Sequence, residues 1–338
     1  MLAHFRCSWR AYCLSLLSLS RAEVVITCID TDAIFYSFKN DLPRVTFIAI
    51  QNGIRGNITD VPGGDLWTQL GRLRKQPPCV DIVATFGPAH SALYRSRIRC
   101  ETIEIGSSRN NQFAIVRTRV KHDVPRVGFI SNFIPPHCKV YGDVETSPVS
   151  TFLGFRPVQA HEYFRAEVNV GLTVASICAE RGWSLHVAGK RGPEFPEERE
   201  MWRQICASKP HYFYPRDLRS SSYEILDGCD LVVTIDSTLG YEMIARGKRV
   251  LFVAERARIL GGEEARQFAF GFPKDYPIEG KFWTRSTEER NLSHLMRDLL
   301  EMTDDEWRIC SQFVRDDLMV FDPGNLTLTK LIDRLSEN

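Results

Sequence analysis

Short apolar runs punctuate the first part of the chain: EVVITCI (23–29), RVTFIAI (44–50), DIVATF (81–86), ETIEI (101–105) and RVGFIS (126–131). Each is nearly continuous rather than alternating, the pattern of strands covered on both faces of a sheet. Helical stretches separate them, and alternation of strand with helix predicts parallel pairing. The rhythm lapses over HCKVYGDVETSPVSTFLGFR (137–156), with Pro135, Pro136 and Pro148 close by, which reads as a linker. It resumes in AEVNVGLTVASICAERG (166–182), a helical period closed by glycine. The strand runs SLHVAG, DLVVTI and RVLFVA follow, each after a helix, with further helices from about residue 288. This pattern predicts an α/β chain of two doubly wound, Rossmann-like domains, 1–140 and 141–338. Ligands are then expected at the carboxyl ends of strands, in the cleft between the domains.

Length supports the division, since 338 residues exceed one ordinary core. Lys plus Arg (43) balance Asp plus Glu (42), so no global field draws in nucleic acid or an anionic membrane, and an anionic ligand must be held locally. The ten cysteines stand singly with no CxxC pair, which fits a reduced cytoplasmic compartment and argues against a zinc or redox motif. Sequons at Asn57, Asn291 and Asn325 are short enough to arise by chance. The opening MLAHFRCSWRAYCLSLLSLSR imitates a secretion signal, but its apolar run (11–19) is short and broken by serines, and Arg21 leads directly into a strand. An amphipathic first helix is the better reading. No uncharged apolar stretch reaches the roughly 18 residues of a membrane span.

Polar loops follow several of the predicted strands. QNGIRG (51–56) offers Gln51, Asn52 and Arg55 around Gly53, although an Asn-Gly turn alone would explain it. Gly87 precedes Pro88 at a strand-to-helix junction whose free N–H groups would point into the cleft. EIGSSRNN (104–111) adds Ser107, Arg109 and Asn110, which an N-capped polar loop would also contain. Three such loops in one half suggest an acceptor cleft. In the other half, HVAGKRG (186–192) sets Lys190 and Arg191 beside Gly189, either as a phosphate-neutralising pair or as solvated loop charges. VVTIDSTLGYE (232–242) ends a strand on Asp236 and starts a helix at Ser237 or Thr238, whose hydroxyls and free amides suit an anion. Glu242 is not consumed by a capping box and is free to accept from ribose hydroxyls. Asp236 either braces its loop or acts as nucleophile or base at an anomeric carbon. Glu162, beside His161 at the start of the helix after the linker, either complements the helix dipole or serves the acceptor hydroxyl as general acid or base.

Together, IAIQNGIRG, TFGPAHSALY, EIGSSRNN, HVAGKR, VVTIDSTLGYEMIARGKRVLFV and FGFPKDYPIEGKFWT resemble the bacterial surface-carbohydrate biosynthesis transferases over about residues 23–307. That group is similar in turn to the retaining β-Kdo transferases. The resemblance implies a GT-B glycosyltransferase of surface polysaccharide or lipopolysaccharide biosynthesis, with the nucleotide-sugar donor in the second domain and a glycan or lipid-linked glycan acceptor on the first. It implies CMP-activated Kdo as donor, with Glu242 on the ribose, Ser237 and Thr238 at the phosphate, Asp236 as nucleophile of a retaining mechanism and Glu162 as acid/base. A CMP-linked ketose carries a single phosphate, so a compact site of hydroxyls and lysine suffices. Neither a cofactor nor a metal is expected, the chain is read as having no Asp-x-Asp metal motif, in agreement with metal-independent GT-B chemistry, and the protein is placed in the cytoplasm or at the inner face of the membrane. The alternatives are a CDP-glycerol-type glycerophosphotransferase, which attacks phosphorus on the same scaffold, and a non-catalytic nucleotide-sugar-binding paralogue. The chain departs from the usual GT-B opening in starting with a helix and lacking a tight glycine loop, as though the first strand were missing.

Overall fold

A computed structural model describes residues 8–54, 66, 70, 77–115, 122–133, 148–150, 158–217, 222–261, 266 and 268–337, of which 148–150 and 158–164 are described in backbone only. Two parallel sheets form the α/β framework, as the run pattern predicts. The first holds β1 (Val24–Thr27), β2 (Thr46–Ile50), β3 (Cys79–Thr85) and β4 (Arg99–Glu104), hydrogen-bonded side by side in chain order. The second has the order β12-β11-β10-β5-β8-β9, built from β5 (Arg126–Ile130), β8 (Ser184–Ala188), β9 (His211–Tyr214), β10 (Leu231–Thr234), β11 (Val250–Val253) and β12 (Trp283–Thr284). A small antiparallel pair, β6 (Pro148–Ser150) with β7 (Val158–Gln159), lies within the stretch read as a linker and at its edge.

One strand changes sides. The run at 126–131, read with the first-half strands, is β5, and it pairs with β8 and β10 of the second sheet. Sheet membership therefore switches between Glu104 and Arg126, ahead of the boundary expected near residue 140. Sequence pattern could not decide this, because a strand covered on both faces looks alike in either sheet.

With its strands in chain order, right-handed crossovers place the intervening helices of the first sheet on one face. That face is closed by Phe35, Tyr36 and Phe38 of α2 (Phe35–Asp41) and Tyr94 of α3 (Pro88–Arg95), packed on Phe47, Ala49 and Val83, with Cys13, Leu14 and Leu17 of α1 (Trp9–Ser20) against them. The opposite face shows Ile50, Ala84 and Ile105 and is covered from the far end of the chain, by Leu328 of the last helix (Leu326–Ser336). The period of two in a strand makes this possible: Ala49 and Val83 face one way, Ile50 and Ala84 the other.

The chain returns to the first sheet through a strap of close backbone contacts. Val320 N donates to Phe86 O at 2.9 Å, Gly324 N to Asn111 O at 2.8 Å, and Asn325 Nδ2 to Ser108 O at 2.9 Å. Gly106 takes φ +69°, and a Cβ there would run into the Val320 carbonyl oxygen. Gly106→Ala should therefore lower stability by about 2–3 kcal/mol, through left-handed strain and displacement of the strap, as measured by denaturant unfolding.

Candidate active site

In the second sheet the chain winds outward from β5 in one direction through β8 and β9, and from β10 in the other through β11 and β12. The point where strand order reverses, between β5 and β10, is where open parallel sheets leave a crevice beyond their carboxyl ends. The residues that follow those strand ends are Ser131 and Asn132 after β5, Lys190 and Arg191 beyond β8, Asp236 after β10, and Glu255 and Arg256 after β11.

They form one charged cluster. Asp236 ion-pairs with the buried Arg256 and accepts from Asn132 Nδ2 at 3.3 Å, while its own side chain keeps 13% exposure and thus borders the crevice. Glu167, on the long helix Ala160–Arg181, accepts from Ser131 Oγ at 2.8 Å and Asn132 N at 2.9 Å through Oε1. Its Oε2 is buried and has no hydrogen-bond partner among the described residues. Burial pushes the Glu167 carboxyl up to about 7, against the opposing pull of Ser131, Asn132 and Arg256. Burial, with the neighbouring Arg191 cation, holds Lys190 below the ordinary ammonium range, while Glu167 and Asp236 act the other way. The glycine loop itself is pinned by the buried Glu198, whose two oxygens accept from Lys190 N and Arg191 N at 2.8 Å each. These backbone amides therefore hold a carboxylate, and only the side chains of Lys190 and Arg191 remain to meet a ligand.

The second group of residues lies on the seam between the lobes. Ser237 caps the helix Thr238–Ala245, accepting from Leu239 N at 3.3 Å, and Thr238 Oγ1 accepts from Ile54 N of the first lobe at 3.2 Å. The Thr238 hydroxyl keeps its own proton to donate. Glu242 is buried, accepts from Tyr223 Oη at 2.8 Å and from the Ser107 hydroxyl, and is shifted upward chiefly by burial. Asn110 Nδ2 lies 3.5 Å from the Glu242 carbonyl oxygen. Beside them the buried Arg246 ion-pairs with Asp227 and donates to Asn110 Oδ1 at 3.2 Å, Phe113 O at 2.9 Å and Ala114 O at 3.0 Å.

Thus Ser107 and Asn110, picked for the acceptor side, meet Glu242, picked for the donor side, and the 51–54 loop meets Thr238. Other expectations change. Gly87 does not open toward the cleft: a Cβ there would lie 2.7 Å from Asp317 O, so the residue admits the returning C-terminal strap. Gly189 likewise makes room for Phe213 and Tyr214, each 2.9 Å from a Cβ. Gln51 is buried as a brace, accepting from Phe86 N at 2.9 Å and donating to Gly53 O at 3.0 Å. Asn52 is exposed, its amide donating to Asp30 Oδ1 at 3.2 Å, and Arg109 is exposed within electrostatic reach of Glu242. Arg55 lies outside the described residues, and Glu162 is placed in the first turns of the helix Ala160–Arg181 with its side chain outside them. Asp30-Thr31-Asp32 does have Asp-x-Asp spacing. Its acids serve the fold, since Asp30 accepts from Tyr94 Oη at 2.5 Å as well as from Asn52 N, and Asp32 Oδ1 accepts from Ile34 N at 2.9 Å. No group of His, Cys, Asp and Glu is placed to hold a metal ion among the described residues.

Sequence reasoning missed Asn132, Glu167, Glu198, Arg246 and Arg256. Glu167 lies five residues past Glu162 in the same helix and, being a lone acid in an apolar face, carried a signal. The arginines did not, because a buried arginine is written like a surface one until its partner is known.

The Glu167 shift has a stability consequence. A carboxyl whose folded value is raised favours folding below the unfolded value near 4.5, and this support is lost as pH rises through about 7. Glu167→Gln keeps the acceptor for Ser131 and Asn132, so it should match the parent at about pH 4, below the unfolded value, and exceed it at pH 8 by up to about 3 kcal/mol. Thermal melts across that pH range check this, and a gap that does not widen with pH counts against it.

The fold is shared with solved structures of low sequence identity. A structure described as "putative UDP-N-acetylglucosamine 2-epimerase" from Listeria monocytogenes matches with TM-score 0.58 at 13% identity, over 97% of this chain and 79% of that one. The S. aureus MnaA–UDP structure matches with TM-score 0.53 at 12% identity, over 97% and 78%. The wall teichoic acid polymerase TagF soaked with CDPG also gives TM-score 0.53 at 12% identity, over 98% and 75%. The two lobes are thus of the GT-B kind. No curated protein matches the chain in sequence. A family model described as "putative O-antigen biosynthesis protein" matches residues 48–336, and the chain belongs to that family.

Proposed function

We propose that the protein is a glycosyltransferase of surface-glycan biosynthesis that takes a nucleotide-activated donor at the switch point of its second lobe. The observation that carries this reading is the convergence of Asn132, Lys190, Asp236 and Arg256, at adjacent strand ends, with Glu167 of the neighbouring helix, an acid-and-base cluster of buried and half-buried groups at the place where this topology leaves a crevice. Membership of an O-antigen biosynthesis family supports the pathway class. Solved structures of the same fold are described with UDP, UDP-GlcNAc and CDPG, which supports a nucleotide-linked donor.

In the finer reading the donor is CMP-Kdo and transfer retains configuration, with Asp236 as nucleophile and Glu162 as acid/base. Lys190 and Arg191 supply side-chain cations, Ser237 and Thr238 meet the phosphate, and Glu242 takes the ribose once Ser107 and Tyr223 give way. Donor entry at Thr238 and Glu242 then requires the seam to part, since first-lobe groups occupy both. Asp236 attacks only if an oxygen leaves Arg256 or Asn132.

That requirement favours one second reading, transfer of a CDP-glycerol-type group at phosphorus, in which the Asp236–Arg256 pair stays closed and no anomeric nucleophile is needed. No helix among the described residues is long and apolar enough to cross a membrane, which is compatible with the cytoplasmic location of this proposal.

Calorimetric titration with CMP, UDP and GDP is expected to show a preference for CMP, and equal or absent binding removes the Kdo donor. Asp236→Asn should abolish transfer while nucleotide affinity changes by less than about tenfold. Full activity in that variant dismisses the nucleophile, and a phosphodiester rather than a glycosidic product selects the second reading.

A further inference from the structure

The first sheet ends on two unlike edges. β4 carries Arg99, Glu101 and Glu104, and its pairing with β3 shifts register, both devices that blunt an edge against a further strand. β1 has neither: Val24-Val25-Ile26-Thr27 runs without charge, proline or shift in its register to β2. Thr46 N donates to Glu23 O at 2.8 Å, and the even register from Val24↔Thr46 to Thr27↔Ala49 turns the backbone groups of Val25 and Thr27 toward β2. Those of Val24, Ile26 and Cys28 therefore point off the sheet, and none is hydrogen-bonded among the described residues. Apolar surface flanks this edge on both faces. Val25 points to the side where Cys13, Leu14 and Leu17 of α1 join the core, while Ile26, by the period of two, points to the other and is 42% exposed. The turn from Ser20 to Val24 is tight, so α1 lies beside the edge strand. On its uncovered side Trp9, Tyr12, Leu16 and Leu19 form one stripe, exposed by 63%, 51%, 54% and 82%, with the Trp9 and Tyr12 rings stacked at 5.5 Å.

We infer that a second copy of this chain pairs with β1 edge to edge, about a two-fold axis at Ile26, joining the two first-lobe sheets into one with the α1 stripes in contact on one face. A strand edge selects a strand as its partner, because another backbone offers donors and acceptors at the same repeat. The patch is also its own complement. In the antiparallel pairing that the two-fold requires, Ile26 stands opposite Ile26 of the partner subunit and Val24 opposite Cys28 of the partner subunit, and an axis perpendicular to the sheet keeps both α1 helices on the same face. Charge does not oppose this, since Arg10 is held by Asp41 on the packed side of α1 and Arg21 has the exposed Glu23 close by in the chain. Area agrees with it. The exposed apolar side chains around the edge, Trp9, Tyr12, Leu16, Leu19, Ile26 and Ile29, offer on the order of 600 Å², near the ~800 Å² per partner of a standard interface, and the strand pairing adds to it. The inference stands apart from the donor chemistry.

Sedimentation velocity of the full chain tests it. The parent should run as a dimer at about 20 μM, a concentration at which an interface of this class is populated. Ile26→Pro removes an outward amide that the fold leaves unused, so it should give a monomer with unchanged far-ultraviolet circular dichroism. Leu16→Ser with Leu19→Ser leaves β1 untouched and should weaken dimerisation at least about tenfold, while Ile309→Glu, at an exposed apolar position of another helix, changes nothing. Should Ile26→Pro fail to fold, the leucine variant decides. A monomeric parent, a folded Ile26→Pro variant that dimerises like the parent, or a leucine double variant that does so would overturn the inference.

Discussion

A single buried guanidinium sets the relation of the two lobes. Arg246 has five N–H donors, and its recorded contacts supply five acceptors: both oxygens of Asp227, the side-chain oxygen of Asn110, and the carbonyls of Phe113 and Ala114. Two of these belong to the second lobe's Asp227 and three to the segment that leaves the first lobe. The Tyr223 and Phe321 rings lie on it at 5.4 and 5.8 Å. A cation so placed is tolerable only while every partner stays, because uncovering one partner of a buried ion pair costs about 3–5 kcal/mol. The seam that brings Ser107 to Glu242 and Ile54 to Thr238 is thereby held in register.

The crevice chemistry depends on sheet order in the same way that the seam depends on Arg246. Because the second sheet reverses between β5 and β10, the polar ends of β5, β8, β10 and β11 emerge beside one another. Glu167 reaches them from a helix that spans the lobe, and its carboxylate is oriented by Ser131 and Asn132, the two residues that end the central strand. A raised carboxyl, a lowered ammonium and an ion-paired acid share one cluster, and burial is the first cause of both shifts.

The first sheet solves a different problem. Four strands in chain order put their crossover helices on one face, and the other would be bare without the C-terminal helix that returns to cover it. Gly87 and Gly106 are the points of closest approach in that return. Glycines that looked like ligand loops in the sequence are therefore backbone clearances, and the end of the chain is a structural part of its beginning.

What the sequence determined by itself is what depends on local periodicity. Continuous apolar runs gave β1 to β5, β8, β10 and β11 but not the short β6, β7, β9 and β12, glycine and proline gave strand ends, and the corner at 236–242 displayed its cap, its acid and its helix start. Tertiary structure alone decided which sheet β5 enters, that Gln51, Gly87 and Gly189 serve packing, and that Glu167 has its carboxylate beside Asn132 and Lys190. The physical reason is range. A strand's propensity is settled by its neighbours in the chain, whereas the protonation of Glu167, the pairing of Asp236 with Arg256 and the five acceptors of Arg246 arise between residues that the fold brings together from 19 to 136 positions apart.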